Sequence, residues 1–78
     1  MYEVRAYFDY DYKGLEDNFG TSDFDLAVDF AHDKLMQGYN VTIENLMSGI
    51  KKEILSDYYH DNFNGDFIYK YTDFEEVI

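Results

Sequence analysis

Thr-Ser-Asp-Phe-Asp-Leu-Ala-Val-Asp-Phe-Ala-His-Asp-Lys-Leu-Met-Gln, residues 21–37, is the stretch on which the fold turns. Phe24, Ala27, Val28, Ala31 and Leu35 recur at steps of three and four residues, and Phe30 widens the stripe. That period belongs to an amphipathic helix with one face on a core. Thr21, Ser22 or Asp23 can cap its start, because each offers a side-chain oxygen to unpaired backbone N–H groups. Gly38 follows where a helix stops, since glycine accepts the left-handed conformation that closes a last turn. The spacing predicts a helix over 22–37. Its polar side is unusual. Asp25, Asp29 and Asp33 stand at i, i+4 and i+8, stacked at axial steps of about 6 Å. Like charges so placed repel, and aspartate is a poor helix former away from the ends. Local stability would favour Glu–Lys pairs there, so the row points to a role in binding.

Outward from this helix, composition sets limits. Seventy-eight residues make one domain, near the lower size at which a core sustains itself without staples. There is no cysteine, which excludes disulfides and thiolate metal sites and fits a reducing compartment. No apolar run reaches the ~20 residues of a membrane helix, and Met1-Tyr2-Glu3-Val4-Arg5 has no signal-peptide character. Seventeen acids against six bases give a net charge of −11, beyond the roughly 2–8 units usual for a small soluble domain. Nine Tyr and seven Phe argue against disorder, because they supply a large apolar payload. A folded domain with so negative a surface is repelled by nucleic acid and anionic lipid, and its natural partner is a basic protein.

In chain order, residues 2–10 alternate, with Tyr2, Val4, Ala6 and Phe8 on one face and Glu3, Arg5, Tyr7 and Asp9 on the other. That is a half-buried strand. Asp11-Tyr12-Lys13-Gly14 reads as a turn, and 15–19 as a short return strand ended by Gly20. After the helix two readings stand. Val41-Thr42-Ile43-Glu44 alternates as a strand, turning at Met47-Ser48-Gly49 into a partner over 50–55. Ile43, Leu46, Met47, Ile50, Ile54 and Tyr58 also fit a helix capped by Thr42. The β-branched start, the short 38–40 link and Gly49 favour the hairpin. Residues 56–63 are left unassigned. Asn64-Gly65 is a strong turn signal, and 67–72 alternates as a final strand before an acidic tail over 74–78 that can dock through its apolar residues. The expected fold is α+β, ββαββ with a possible fifth C-terminal strand, the helix lying on one face of an antiparallel sheet.

Catalysis finds little support, and the chain is expected not to be an enzyme. His32 and His60 lie in no metal or nucleophile motif and read as surface or rim residues. With so many carboxylates, no one pair stands out as an acid–base couple. Residues 9–14 have a superficial likeness to the start of a calcium loop, but Gly20 stands where such a loop needs glutamate. No metal and no cofactor is expected. Asn40-Val41-Thr42 matches a glycosylation sequon by chance. The interaction candidates are the row Asp25, Asp29 and Asp33, extended by Asp9, Asp11 and Asp17 if the first hairpin packs nearby. Tyr10 and Tyr12, with Tyr58 and Tyr59, interleave with Asp as interface tyrosines do. A nucleic-acid strand presents a charge about every 3.4 Å of axis, so a groove built for phosphates would attract such a surface. The alternative is a solvated face that keeps the domain soluble.

This order of short strands, one acidic helix, a strand pair and an aromatic-acidic end resembles the small acidic proteins of phages and mobile elements. That group includes anti-CRISPR and antirestriction proteins, many of which act as DNA mimics. The resemblance implies a stoichiometric inhibitor of a host defence nuclease, a CRISPR effector ahead of a restriction enzyme, acting in the bacterial cytoplasm. The partner would be a basic nucleic-acid-binding protein, with no direct contact to nucleic acid or membrane. The alternatives are an antitoxin or immunity protein capping a basic toxin nuclease, and a phage structural or assembly protein.

Overall fold

A computed structural model describes residues 1–8, 17–63 and Phe74. Its elements in order are β1 (Tyr2–Tyr7), β2 (Asp17–Thr21), α1 (Phe24–Met36), β3 (Asn40–Asn45), β4 (Lys51–Ile54) and α2 (Ser56–Phe63). The four strands form one antiparallel sheet in the order β2-β1-β3-β4. The chain therefore enters as a hairpin, crosses over β1 through α1, and returns as a second hairpin. This is the expected α+β ββαββ arrangement, with α2 added.

Strand alternation decides which face the helix covers. Val4 stands opposite Phe19 and Ile43, Ala6 opposite Asp17 and Val41, and Val41 opposite Ile54. Directly opposed residues share a face, so this set forms the inner surface. Val4, Ala6, Val41 and Ile43 are fully buried there, as are Ala27, Val28, Ala31 and Leu35 of α1. The alanines on both sides let the helix axis approach the sheet closely, and Tyr59 and Phe74 supply the large buried volumes. The opposite face carries Glu3, Arg5, Tyr7, Asn18, Thr42, Glu44, Lys51 and Glu53, which are exposed or half-buried.

Helix α1 is closed at both ends by its own sequence. Asp23 caps it, its Oδ1 accepting from the N–H groups of Asp25 at 2.9 Å and Leu26 at 3.4 Å. Gly38 follows the last turn at φ 101°. The Tyr39 N–H donates to the Lys34 carbonyl at 3.0 Å and the Gly38 N–H to that of Leu35 at 3.1 Å. This paired closure requires a left-handed residue, hence glycine. The 42–58 alternative is settled in favour of the hairpin. Asn45 Oδ1 accepts from the N–H groups of Met47 and Ser48, and Gly49 at φ 78° completes the turn.

Two expectations, on Gly20 and His32, need correcting, and the stretch left unassigned at 56–63 gains a structure. The return strand runs Asp17–Thr21, so Gly20 lies within β2, opposite Glu3, and does not end it. Residues 56–63 form a helix, which packs on α1. His32 is not on the surface: it is 7% exposed, and its Nδ1 lies 2.5 Å from the buried Tyr59 hydroxyl. The turn at 11–14, the Asn64-Gly65 turn, the strand at 67–72 and the tail beyond Phe74 lie outside the described residues. Phe74 itself is buried in the core.

Candidate acidic interface

Asp25, Asp29 and Asp33 all lie exposed on α1. At 100° per residue they span an arc of about 80°, turned away from the buried stripe through Val28, Ala31 and Leu35. Over eight residues the row runs about 12 Å, with one carboxylate per ~6 Å. One nucleic-acid strand carries a charge per about 3.4 Å. The row therefore matches roughly every second phosphate of a stretch of about five. Leu26 and Met36, 50% and 40% exposed, fall on the same outward arc. The sequence pattern passed them over because neither fits the core stripe. They place apolar contact area among the carboxylates, where the hydrocarbon stem of a partner's Lys or Arg can pack.

The lone Lys or Arg of α1 is turned away from this row. Lys34 follows Asp33 by one 100° step, which puts it on the flank facing β2. There its Nζ lies 3.0 Å from Asp17 Oδ2. It also stands 5.4 Å from the Phe30 ring centroid and 5.2 Å from that of Tyr39. The hydrogen bond from Lys34 holds the Asp17 carboxyl below its ordinary 3.8, with the same ammonium's charge and the Asn18 N–H adding to the effect. Asp17 is thus an ion-paired residue of the other flank. The structure does not bring it onto the row of Asp25, Asp29 and Asp33. Asp9, Asp11, Tyr10 and Tyr12 lie outside the described residues.

Helix α2 is fixed to the end of α1 by donors aimed at one carbonyl. The Leu35 carbonyl accepts from Ser56 Oγ at 3.0 Å and His60 Nε2 at 3.1 Å, beside the Gly38 N–H. A carbonyl cannot donate, so His60 Nε2 must carry the hydrogen. Asn40 completes the junction: its Oδ1 accepts from Ser56 N–H at 2.9 Å and its Nδ2 donates to the Phe8 carbonyl at 3.1 Å. Of the two interface tyrosines on α2, Tyr59 is fully buried and Tyr58 is 49% exposed. Tyr59 is therefore a core residue and Tyr58 remains a surface one. Asp57, exposed in the first turn of α2, adds a carboxylate to the helix layer.

Among the described residues no group of three or more His, Asp and Glu could hold a metal ion. Among the described residues no helix is long and apolar enough to cross a membrane. A shallow depression of about 280 Å³ lies along β4, lined by Lys52, Glu53, Ile54, Leu55 and Tyr58. Comparison with protein-family models, with curated proteins and with solved structures finds no match for this chain.

Proposed function

We propose that this chain is a stoichiometric inhibitor of a basic nucleic-acid-binding protein, which it engages through the outward face of α1. The observation that carries the reading is the placement of charge on α1. Three aspartates share an exposed arc of a capped helix, and the helix's only lysine is tied to Asp17 on the other flank. A groove lined with Lys and Arg would receive this face as it receives phosphates, with Leu26 and Met36 adding apolar contact. The charge of −11 would speed encounter and make it salt-sensitive. The resemblance to acidic phage and mobile-element proteins points to a host defence nuclease as target, a CRISPR effector first and a restriction enzyme second.

The test is capture of partners from a host that carries both kinds of system, followed by elution with excess duplex DNA and, separately, with salt. A nuclease released by DNA supports occupation of its nucleic-acid groove. A partner that DNA does not displace overturns that reading.

A further inference from the structure

Of the eight large apolar side chains exposed among the described residues, four gather at one end of the sheet. Met47 is 89% exposed, and Met1, Leu46 and Ile50 are each about half exposed. Strand register brings them together. Tyr2 stands opposite Asn45, the Leu46 N–H donates to the Met1 carbonyl at 2.9 Å, and the Asn45 N–H donates to the Ile50 carbonyl at 2.9 Å. Apolar side chains scattered over a surface need no explanation, but a contiguous group marks a contact. The turn that carries Met47 is closed from within. Besides the two bonds to Asn45 Oδ1, the Gly49 N–H donates to the Asn45 carbonyl at 2.8 Å and the Ile50 N–H to Ser48 Oγ at 3.2 Å. A side chain presented on so fixed a backbone has little freedom of its main chain to lose on binding.

Charge around this group is uneven. On the open face of the sheet it is balanced within the chain: Glu3 accepts from Arg5 at 2.9 Å, and Glu44 stands opposite Lys51. Residues 45–52 hold no acid. On the helix side lies the start of α1, brought to the same end by the contact of Tyr2 with Phe24, whose ring centroids are 5.2 Å apart. Asp23 and Asp25 are exposed there, with the half-exposed Leu26 beside them. The apolar group therefore has a near-neutral side toward the open face and an acidic side toward α1.

We propose that the turn over 45–50 is a second contact for the basic protein assigned above to α1, with Met47 entering an apolar socket that borders that protein's basic groove. The inference rests on the reading of α1 as the site for such a partner. Charge complementarity sets the orientation. The partner's Lys and Arg lie over Asp25 and the rest of the row, and its socket lies past the start of α1, where the surface turns neutral. The two contacts contribute differently. The row draws the partner in through a field that salt screens, whereas Met47 adds apolar contact that does not depend on charge. The unbranched thioether side chain adapts its shape to such a socket. A few well-buried anchors of this kind carry most of the affinity of an interface.

The probe is the protein that duplex DNA elutes from the immobilised chain, and its affinity is measured at about 0.1 M and about 1 M salt. The variants are Met47→Ser, Met47→Leu and the joint exchange of Asp25, Asp29 and Asp33 for asparagine. Met47→Ser is expected to lower affinity about tenfold at both salt concentrations, and Met47→Leu to keep most of it. Both should melt with the wild type, because the side chain they replace is 89% exposed. The triple variant is expected to lose affinity mainly at the lower salt. Undiminished binding by Met47→Ser, beside a weakened triple variant, overturns the proposal and leaves the reading of α1 standing. A Met47→Ser loss that disappears at the higher salt also overturns it, since the contact would then be one of charge. A triple variant that binds like the wild type overturns the reading of α1 and the shared surface with it, as does the elution of no protein by DNA.

Discussion

Replacing Asp25, Asp29 and Asp33 with asparagine together separates a binding role from a structural one. Neighbouring carboxylates in the row are about 6 Å apart, which in water gives roughly 0.7 kcal/mol of repulsion per adjacent pair. Salt at about 0.15 M halves this, so the two adjacent pairs cost under ~1 kcal/mol. Relief of that repulsion opposes loss of the Asp25 interaction with the helix N-terminus, worth about 0.3–1 kcal/mol. The two nearly cancel, and the melting temperature should move by no more than about 4 °C. Inhibition should not be spared. At about 1 kcal/mol for each charge lost from a groove, affinity should fall roughly 100-fold at low salt. The gap should narrow at about 1 M, where the screening length is near 3 Å. Calorimetric titration against the captured nuclease at several salt concentrations reads both. Undiminished low-salt affinity in the triple variant would refute the assignment of the site to this face.

Tyr59→Phe should cost about 1–3 kcal/mol in urea unfolding, because it strips the buried His32 Nδ1 of the hydroxyl 2.5 Å away; an unchanged midpoint would show that the contact does not hold α2. Gly49→Ala should cost about 1–2 kcal/mol, since φ is 78° in a turn that a Cβ disfavours. Gly20→Ala should not share that backbone penalty, because Gly20 is not among the positive-φ glycines and an added Cβ would meet its nearest atoms at an ordinary 3.9 and 4.0 Å. Lys34 holds the folded Asp17 carboxyl below 3.8, so the stability it contributes is present above that pH and is lost as pH falls through the lower folded value. Asp17→Asn should therefore melt below the wild type at pH 6 and converge with it in acid; a constant difference down to pH 2 would contradict the ion pair.

The parts of this fold readable from sequence are those where one physical preference acts alone. The period of Phe24, Val28, Ala31 and Leu35, the cap before it and Gly38 after it agreed, and α1 lies within one or two residues of expectation. The 42–58 segment carries two periods, and its β-branched start together with a glycine that weakens a helix interior favours the hairpin; the structure adds that Gly49 holds a left-handed φ of 78°. Helix α2 was unreadable because its anchors are distant in sequence. Ser56 and His60 bind the Leu35 carbonyl, and Tyr59 meets His32. His32 was misread for the same reason. Charged neighbours put it on the polar side of an isolated helix, but α2 covers that flank. The aspartate row could be placed on one face because that needs only helical period. The quenching of Asp17 could not be foreseen, since Lys34 reaches it through the packing of α1 against β2.

Near α1 the exposed carboxylates act together, and attraction of a basic protein is a sum over many distant charges. Such a sum decays steeply once the screening length falls below ~10 Å, so partner binding should weaken as salt rises from about 0.02 to 0.3 M. The triple variant of Asp25, Asp29 and Asp33 removes three charges from that sum, so its affinity should fall less steeply over the same range than that of the wild type. Equal slopes in the two proteins would mean that the charges steering the encounter lie elsewhere, and the row would then be a solvated face.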